Sequence, residues 1–449
     1  MKTIGAVLLL MVFAAVGCYF YYADIQNQKS RSGYNQVPKR EDPEKEDGIR
    51  LIQEQEIKRT MDPALGYVPK SRLIQADNDL VQLRTNSTAR VESALVWTER
   101  GSYTDAVGPS NGNGRPGTPT PVTSGRLRAI WVDLADASKK TVWIGGVDGG
   151  LWKTTDITAS PATWTLVSDF FSNLAIGSIC QDPSNTNIMY FGTGEKAFNI
   201  DAVQGGGIWK STDHGVSWNL IANTTGFWNV SKILCDVSGN IYAATVGSGS
   251  GLQRSTNGGT SWTNITPTTS GGGTRVADIV LSSTGRLHVS KGYLSSANQY
   301  GYFYTDNPST VTSGTWTSPA TGFTTSQNNV ALAVTGNIVY ALPANGSYQT
   351  PQVYKSTDGG ANWGAVSGSL STSGNNAVSS GQGWYCLGIA VDPANANNVI
   401  VGGLNCYKTT NGGTSWSQVS VWVSGISGSV TNYVHADQHV MTWDGNQIL

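Results

Sequence analysis

From about residue 94 onward the chain alternates short apolar runs of strand length with turns rich in Gly, Asn, Asp and Ser. Ala129-Ile130-Trp131-Val132-Asp133 precedes Thr141-Val142-Trp143-Ile144-Gly145, and Gly150-Leu151-Trp152-Lys153 follows. The same order returns as Leu387 to Asp392, Asn398 to Gly402 and Cys406 to Lys408. Two turn-bounded runs, a third entering a turn and a fourth leaving it predict a four-stranded antiparallel sheet.

The turn after the third run has its own signature. Ser211-Thr212-Asp213-His214-Gly215-Val216-Ser217-Trp218 returns as Ser255 to Trp262, Ser356 to Trp363 and Thr409 to Trp416. Two degenerate copies run from Thr154 through Asp156 to Trp164 and from Tyr304 through Asp306 to Trp316, each with an insertion before the Trp. Successive copies lie roughly 45 to 57 residues apart, the length of one propeller blade. Units begin near residues 128, 177, 231, 277, 329 and 387, and a seventh begins at about His439 and reaches Leu449 after one strand and the start of another. The pattern predicts an all-β propeller of seven blades, the last incomplete within this sequence. Closure calls either on the strand around Ala94-Leu95-Val96-Trp97 or on sequence beyond Leu449. The second is the expectation, because one strand does not supply half a blade.

In these turns the Asp or Asn side chain accepts hydrogen bonds from nearby backbone N–H groups, Gly admits positive φ, and Trp buries a large apolar surface. Asn257 and Asn411 stand where Asp213 and Asp358 stand in the sister copies. An amide cannot serve as an ionised base, so the role common to all copies is hydrogen bonding. Asp156, Asp213, Asn257, Asp306, Asp358 and Asn411, with Trp164, Trp218, Trp262, Trp316, Trp363 and Trp416, are therefore assigned to folding.

The N-terminus has a different character. Residues 1–23 carry an apolar run behind Lys2, read as a secretory signal, a lipoprotein signal with Cys18 as the lipidation candidate, or a retained membrane anchor. Each version directs the rest of the chain out of the cytoplasm, to a surface or secreted location, with the membrane as a partner through the N-terminus. Residues 24–93 hold roughly two-fifths of all charged residues and read as a solvated tether with a short helix over Ile49 to Ile57, or as an arm docked on the body. Residues 94–449 form the propeller.

Composition narrows the partners. Of 449 residues only 13% are charged, against about a quarter in an average soluble protein, and the net charge is −1. No polybasic surface is available for a nucleic-acid backbone, so nucleic acid is excluded as a partner. The 54 Gly and 15 Trp argue against a helical bundle and against disorder. Besides Cys18, the cysteines Cys180, Cys235, Cys386 and Cys406 permit disulfides, while Cys180 and Cys235 in apolar runs read as small buried hydrophobes. No Cys or His spacing forms a structural zinc site, and no cofactor is implied.

With Ser/Thr-x-Asp/Asn-x-Gly-x-x-Trp in register, and with Gly125 to Ile130, Gly149 to Lys153, Gly192 to Glu195 and His435 to His439, the body resembles the Asp-box (BNR) propellers. These are of the sortilin and xyloglucanase-like type, as in secreted or surface Bacteroidetes proteins. The resemblance implies a fold, and its members include enzymes, receptors and assembly factors. In the xyloglucanase-like enzymes a catalytic Asp lies two residues before a Gly-Gly stretch. Here Val147 holds that place and Asp148 falls one position later, which on a strand reverses its face. The second catalytic Asp of those enzymes belongs to a second propeller.

Asp148 and Glu195 are the candidate catalytic carboxylates, each set against a plainer role in a turn or loop. His435, Asp437 and His439 alternate, so on a strand they would share one face, a spacing open to a metal. The sialidase signature and its Arg cluster are missing. Loop aromatics at Phe227-Trp228, Tyr300-Gly301-Tyr302 and Trp384-Tyr385 are candidate contacts for a ligand. The function expected is a non-catalytic, surface-exposed binding or scaffold module for a glycan or protein partner. The alternative is a glycoside hydrolase acting on a β-glucan polymer, with a second propeller beyond residue 449.

Overall fold

The computed structural model describes residues 61–66, 75, 79, 125–196, 202–247, 250–268, 275–293, 301–322, 328–422, 434–445 and 447–449. Cys18, residues 1–23, most of 24–93, the strand expected at Ala94 to Trp97, and Tyr300 lie outside the described residues. The chain divides into Met1–Pro69 and Lys70–Leu449. In the first unit, Asp62 Oδ1 accepts the backbone N–H groups of Ala64 and Leu65 at 2.8 and 3.2 Å, fixing a turn.

The second unit is all-β. Its first sheet is β1 (Leu127–Val132), β2 (Val142–Gly146), β3 (Gly150–Thr154) and β4 (Thr165–Ser168). The next is β5 (Ile176–Gln181), β6 (Met189–Thr193), β7 (Ile208–Ser211) and β8 (Asn219–Leu220). Then come β9 (Phe227–Cys235), β10 (Ile241–Gly247), β11 (Gly251–Ser255) and β12 (Thr263–Asn264). A fourth sheet holds β13 (Val276–Leu281), β14 (Leu287–Lys291) and β15 (Gly301–Thr305). The fifth is β16 (Asn329–Thr335), β17 (Ile338–Ala344), β18 (Tyr354–Ser356) and β19 (Gly364–Ala365). The sixth is β20 (Gly388–Val391), β21 (Val399–Gly402), β22 (Cys406–Thr409) and β23 (Ser417–Gln418). Every sheet is an antiparallel meander. In the fourth sheet, where the turn carries an insertion before Trp316, the outer strand shrinks to a single bridge between Tyr304 and Thr317.

The first strands β1, β5, β9, β13, β16 and β20 touch one another in succession. Together with His439 to Thr442 they line one central channel, which makes the body a β-propeller. The C-terminal segment folds back on itself through a Trp443–Ile448 bridge, and Met441, Trp443 and Ile448 pack on Ala390, Ile400 and Cys406 of the sixth sheet.

Neighbouring sheets are joined by apolar clusters. Between the first two, Ala129, Trp143, Leu151, Ile176, Phe191 and Trp209 are buried together. At roughly 1.5–3 kcal/mol for each large side chain removed from water, such clusters supply most of the cohesion of the ring.

The Trp-terminated turns reinforce these joins. Ser211 Oγ accepts the Gly215 N–H at 2.8 Å and its hydroxyl donates to Asp213 Oδ1 at 2.7 Å. Asp213 also accepts the N–H of Ser217 at 2.9 Å and its hydroxyl at 2.5 Å. In the Asn copies the oxygen keeps its job: Asn257 Oδ1 accepts the Ser261 N–H at 2.9 Å, and the amide donates to the Ser261 hydroxyl at 2.8 Å. A serine at that place can donate to Asp or accept from Asn, which is why both residues fit. In the degenerate copies the carboxylate turns to a cation: Asp156 to Lys140 at 3.2 Å, and Asp306 to Arg286 through two bonds of 2.6 and 2.8 Å. The motif glycine reaches the preceding sheet. Gly215 (φ +78°) lies against the Trp143 ring and Gly360 (φ +90°) against the Tyr302 hydroxyl, and a Cβ at either would overlap its neighbour.

Candidate functional site

The Trp-terminated turns join third and fourth strands at one end of the ring, and the chemistry-bearing side chains gather at the other. Arg126 and Arg128 flank Leu127 at the head of β1, where the pairing with β2 is irregular between Leu127 and Ala129, and both reach the same carboxylate. Glu195 follows β6, Tyr385 precedes β20, and His439 lies within the C-terminal segment.

Glu195 is only 1% exposed and accepts from Arg126 Nη2 at 2.8 Å and from Arg128 Nε at 2.9 Å. The Val203 N–H adds a third bond at 3.3 Å. The Arg128 side chain is 10% exposed and lies over the Tyr385 ring, 4.8 Å from its centroid. Its Nη1 is 2.7 Å from His439 Nδ1. A guanidinium only donates, so Nδ1 is the acceptor and His439 carries its proton on Nε2. Burial first, and the charges of Arg128 and Arg126 after it, hold the imidazole neutral with its pKa pushed down to about 2.

Lys196 sits beside this cluster. Its ammonium donates to the Ala277 carbonyl and, at 3.0 Å, to Asn329 Oδ1, and lies 4.5 Å from the centre of the Tyr293 ring. Burial lowers its pKa to about 8. Lys232 pairs with Asp278 at 3.6 Å on the channel wall. The channel encloses about 350 Å³ and, among the described residues, carries Arg128, Lys196 and Lys232 against the carboxylate of Asp278. A second cavity of about 790 Å³ lies between the head of β1 and the segment from Val434 to Val440, with Tyr385 and Leu449 on its wall.

Of the candidate carboxylates, Asp148 is exposed in the β2–β3 turn at φ +74°, while Glu195 is buried and held by two guanidinium groups. His435, Asp437 and His439 are not brought to one face. Asp437 has φ +72°, which breaks the strand alternation, His435 bonds the adjacent Ala436 carbonyl, and His439 turns to Arg128. Among the described residues no group of three His, Cys, Asp or Glu is placed to hold a metal ion.

The aromatics divide. Trp228 is 49% exposed, but Phe227 beside it is buried, and both belong to strand β9 rather than to a loop. Tyr302 is buried within β15, and Trp384 and Tyr385 are half-buried at the channel end. Lys196, Tyr293 and Asn329 were not singled out by the sequence. Their only signal is position, since each stands where a first or second strand meets this end.

Comparison with solved structures finds other propellers. The GH74 enzyme of Niastella koreensis is 21% identical, with a TM-score of 0.47, over 72% of this chain and 52% of that one. YCF48 bound to D1 peptide is 19% identical, with a TM-score of 0.42, over 66% of this chain and 82% of that one. PorZ, a surface component of the type-IX secretion system of Porphyromonas gingivalis, is 13% identical, with a TM-score of 0.43, over 73% of this chain and 35% of that one. The chain thus spans about half the length of the GH74 enzyme. No family model and no curated protein matches the sequence. The propeller architecture rests on the sheets and the channel themselves.

Proposed function

We propose that the chain is an extracytoplasmic propeller that binds a protein or glycan partner without turning it over. It would present the Arg126, Arg128 and Lys196 end of its channel to an acidic group on that partner. The observation that carries this reading is the state of Glu195. A general acid or base must reach its substrate and exchange a proton with it. Glu195 is inaccessible and its oxygens are spent on Arg126, Arg128 and the Val203 N–H. The excess of positive charge among the described channel residues favours anionic groups, and the half-buried Tyr385, under Arg128 and against Trp384, adds apolar surface at the neighbouring cavity. The apolar run at Ile4 to Ala23 supports export and attachment at a surface.

The test pairs binding with turnover. The full chain is screened against immobilised acidic and neutral peptides and polysaccharides, and incubated with β-glucans while released sugar is measured. Retention of acidic ligands that weakens in Arg128→Met supports the reading. Sugar release abolished by Asp148→Asn would replace it with a glycoside hydrolase, because Asp148 is the exposed carboxylate of the first sheet at this same end.

A further inference from the structure

Cys180 lies in β5 and Cys235 ends β9, the first strands of the second and third sheets. They are 55 residues apart in sequence, yet their Sγ atoms stand 3.1 Å from each other. The two strands are held in register here by a bond of 3.0 Å from the Ile233 N–H to the Ser178 hydroxyl oxygen. Around the thiols, Tyr190, Ile208, Val230, Ile233 and Ile241 form a buried apolar cluster. Both thiols are free, Cys180 fully buried and Cys235 partly exposed.

From this juxtaposition we infer that Cys180 and Cys235 are a disulfide-forming pair that staples the second sheet to the third under oxidising conditions. A disulfide requires two Cβ atoms about 3.5–4.5 Å apart and sulfurs at ~2.0 Å. Thiols already in hydrogen-bond contact need only a small rotation about their Cα–Cβ bonds to meet. The difference in exposure sets the order of events. Cys235, the thiol that solvent reaches, attacks the disulfide of the oxidant (oxidised glutathione or a thiol–disulfide oxidoreductase), forming a mixed disulfide and expelling one reduced thiol. Cys180 then attacks Cys235 Sγ, expelling the second. Each attacking thiol gives its proton to solvent and each departing thiolate takes one up, so two protein thiols and one oxidant disulfide become one protein disulfide and two small thiols. Burial raises the Cys180 pKa, with Cys235 adding to the shift. The second attack is therefore the slow one, and its rate rises with pH.

The inference goes beyond any reading of the binding end and is tested without a ligand. The full chain is reduced, incubated with oxidised glutathione at pH 8.5, unfolded, and alkylated with N-ethylmaleimide. Intact mass and a non-reducing peptide map then follow. The expected result is two fewer maleimide groups and a peptide joining Cys180 to Cys235, with this pair at least ~10-fold more oxidised than Cys386 or Cys406. Cys180→Ala should instead retain a glutathione adduct on Cys235, because the resolving thiol is gone. Wild type should melt about 5 °C or more higher when oxidised than when reduced, and Cys235→Ala should lose that difference. Full alkylation of all five cysteines after prolonged oxidation overturns the inference, as does a linked peptide that joins Cys180 to any other cysteine.

Discussion

Glu195→Ala tests most directly whether the carboxylate at the channel end is a structural tie. Wild-type Glu195 is 1% exposed and meets Arg126, itself 26% exposed, and Arg128, 10% exposed. Removing the carboxylate leaves the Arg128 guanidinium buried, with its Nε donor and charge uncompensated. Breaking a buried ion pair from one side costs about 3–5 kcal/mol. Arg126 can recover water, so the lower half of that range, about 3–4 kcal/mol, is expected here. Urea unfolding followed by tryptophan fluorescence reads the loss as a lower midpoint at constant slope. Glu195→Gln keeps the shape but turns an amide N–H₂ toward one of the two guanidinium groups. It should therefore also destabilise, by about 2 kcal/mol. The double variant Arg128→Met, Glu195→Leu should cost less than the sum of its parts, since neither member of the Arg128–Glu195 pair is left buried without the other and the more exposed Arg126 can turn to water. If Glu195→Ala left the unfolding midpoint unchanged while abolishing an activity, the carboxylate would be a working acid or base and the structural reading would fail.

Four further outcomes are expected. Asp358→Ala removes the acceptor of the Asn362 N–H at 2.9 Å and of the Asn362 side-chain amide at 2.8 Å, and should cost about 1–2 kcal/mol by chemical unfolding. The Asn362 side chain and N–H hold the Asp358 pKa down to about 2. Its contribution is therefore full above the unfolded value near 3.8 and is lost as pH falls toward 2, a slope that Asp358→Ala should flatten in acid titrations. Asn411→Asp should change stability by less than ~0.5 kcal/mol, because the Ser415 hydroxyl, now accepting from the amide at 2.9 Å, rotates to donate. Retention of an acidic ligand should weaken as pH rises through about 8, where Lys196 loses its charge, and a column run with Lys196→Met should show no such step. His439, neutral down to about pH 2, should add no inflection between pH 5 and 8.

The ring was legible because its determinants are local. A turn of eight residues fixes its own hydrogen bonds, and its recurrence marks the sheets to within a residue or two: units read as starting at 128, 177 and 277 begin at Leu127, Ile176 and Val276. Phe227-Trp228 was placed in a loop because β9 begins four residues before the unit start read near 231. The candidate site was less legible. Glu195 was visible as a carboxylate at a strand end, but its two guanidinium partners lie 69 and 67 residues away, a pairing that the packing of the second sheet on the first creates. The alternation of His435, Asp437 and His439 suggested a common face, and the positive φ of Asp437 removed it. A backbone angle of that sign at a non-glycine residue leaves little trace in one sequence. The closeness of Cys180 and Cys235 hid behind their apolar surroundings, since a buried thiol and a buried methyl look alike in a hydrophobic pattern.

The contact between Arg128 and His439 has a mechanical consequence. Successive sheets elsewhere are glued by buried apolar clusters, whereas here the head of β1 faces the C-terminal segment across a cavity of about 790 Å³ and is tied to it by a guanidinium–imidazole bond of 2.7 Å. Apolar glue is spread over many atoms and yields gradually; a polar latch of short reach lets go at once. Breathing of the ring should therefore begin at this joint, with the amides of His439 to Thr442 exchanging before those of the channel-lining strands. Anything that settles on Arg128 would grip the clasp of the ring and slow its opening.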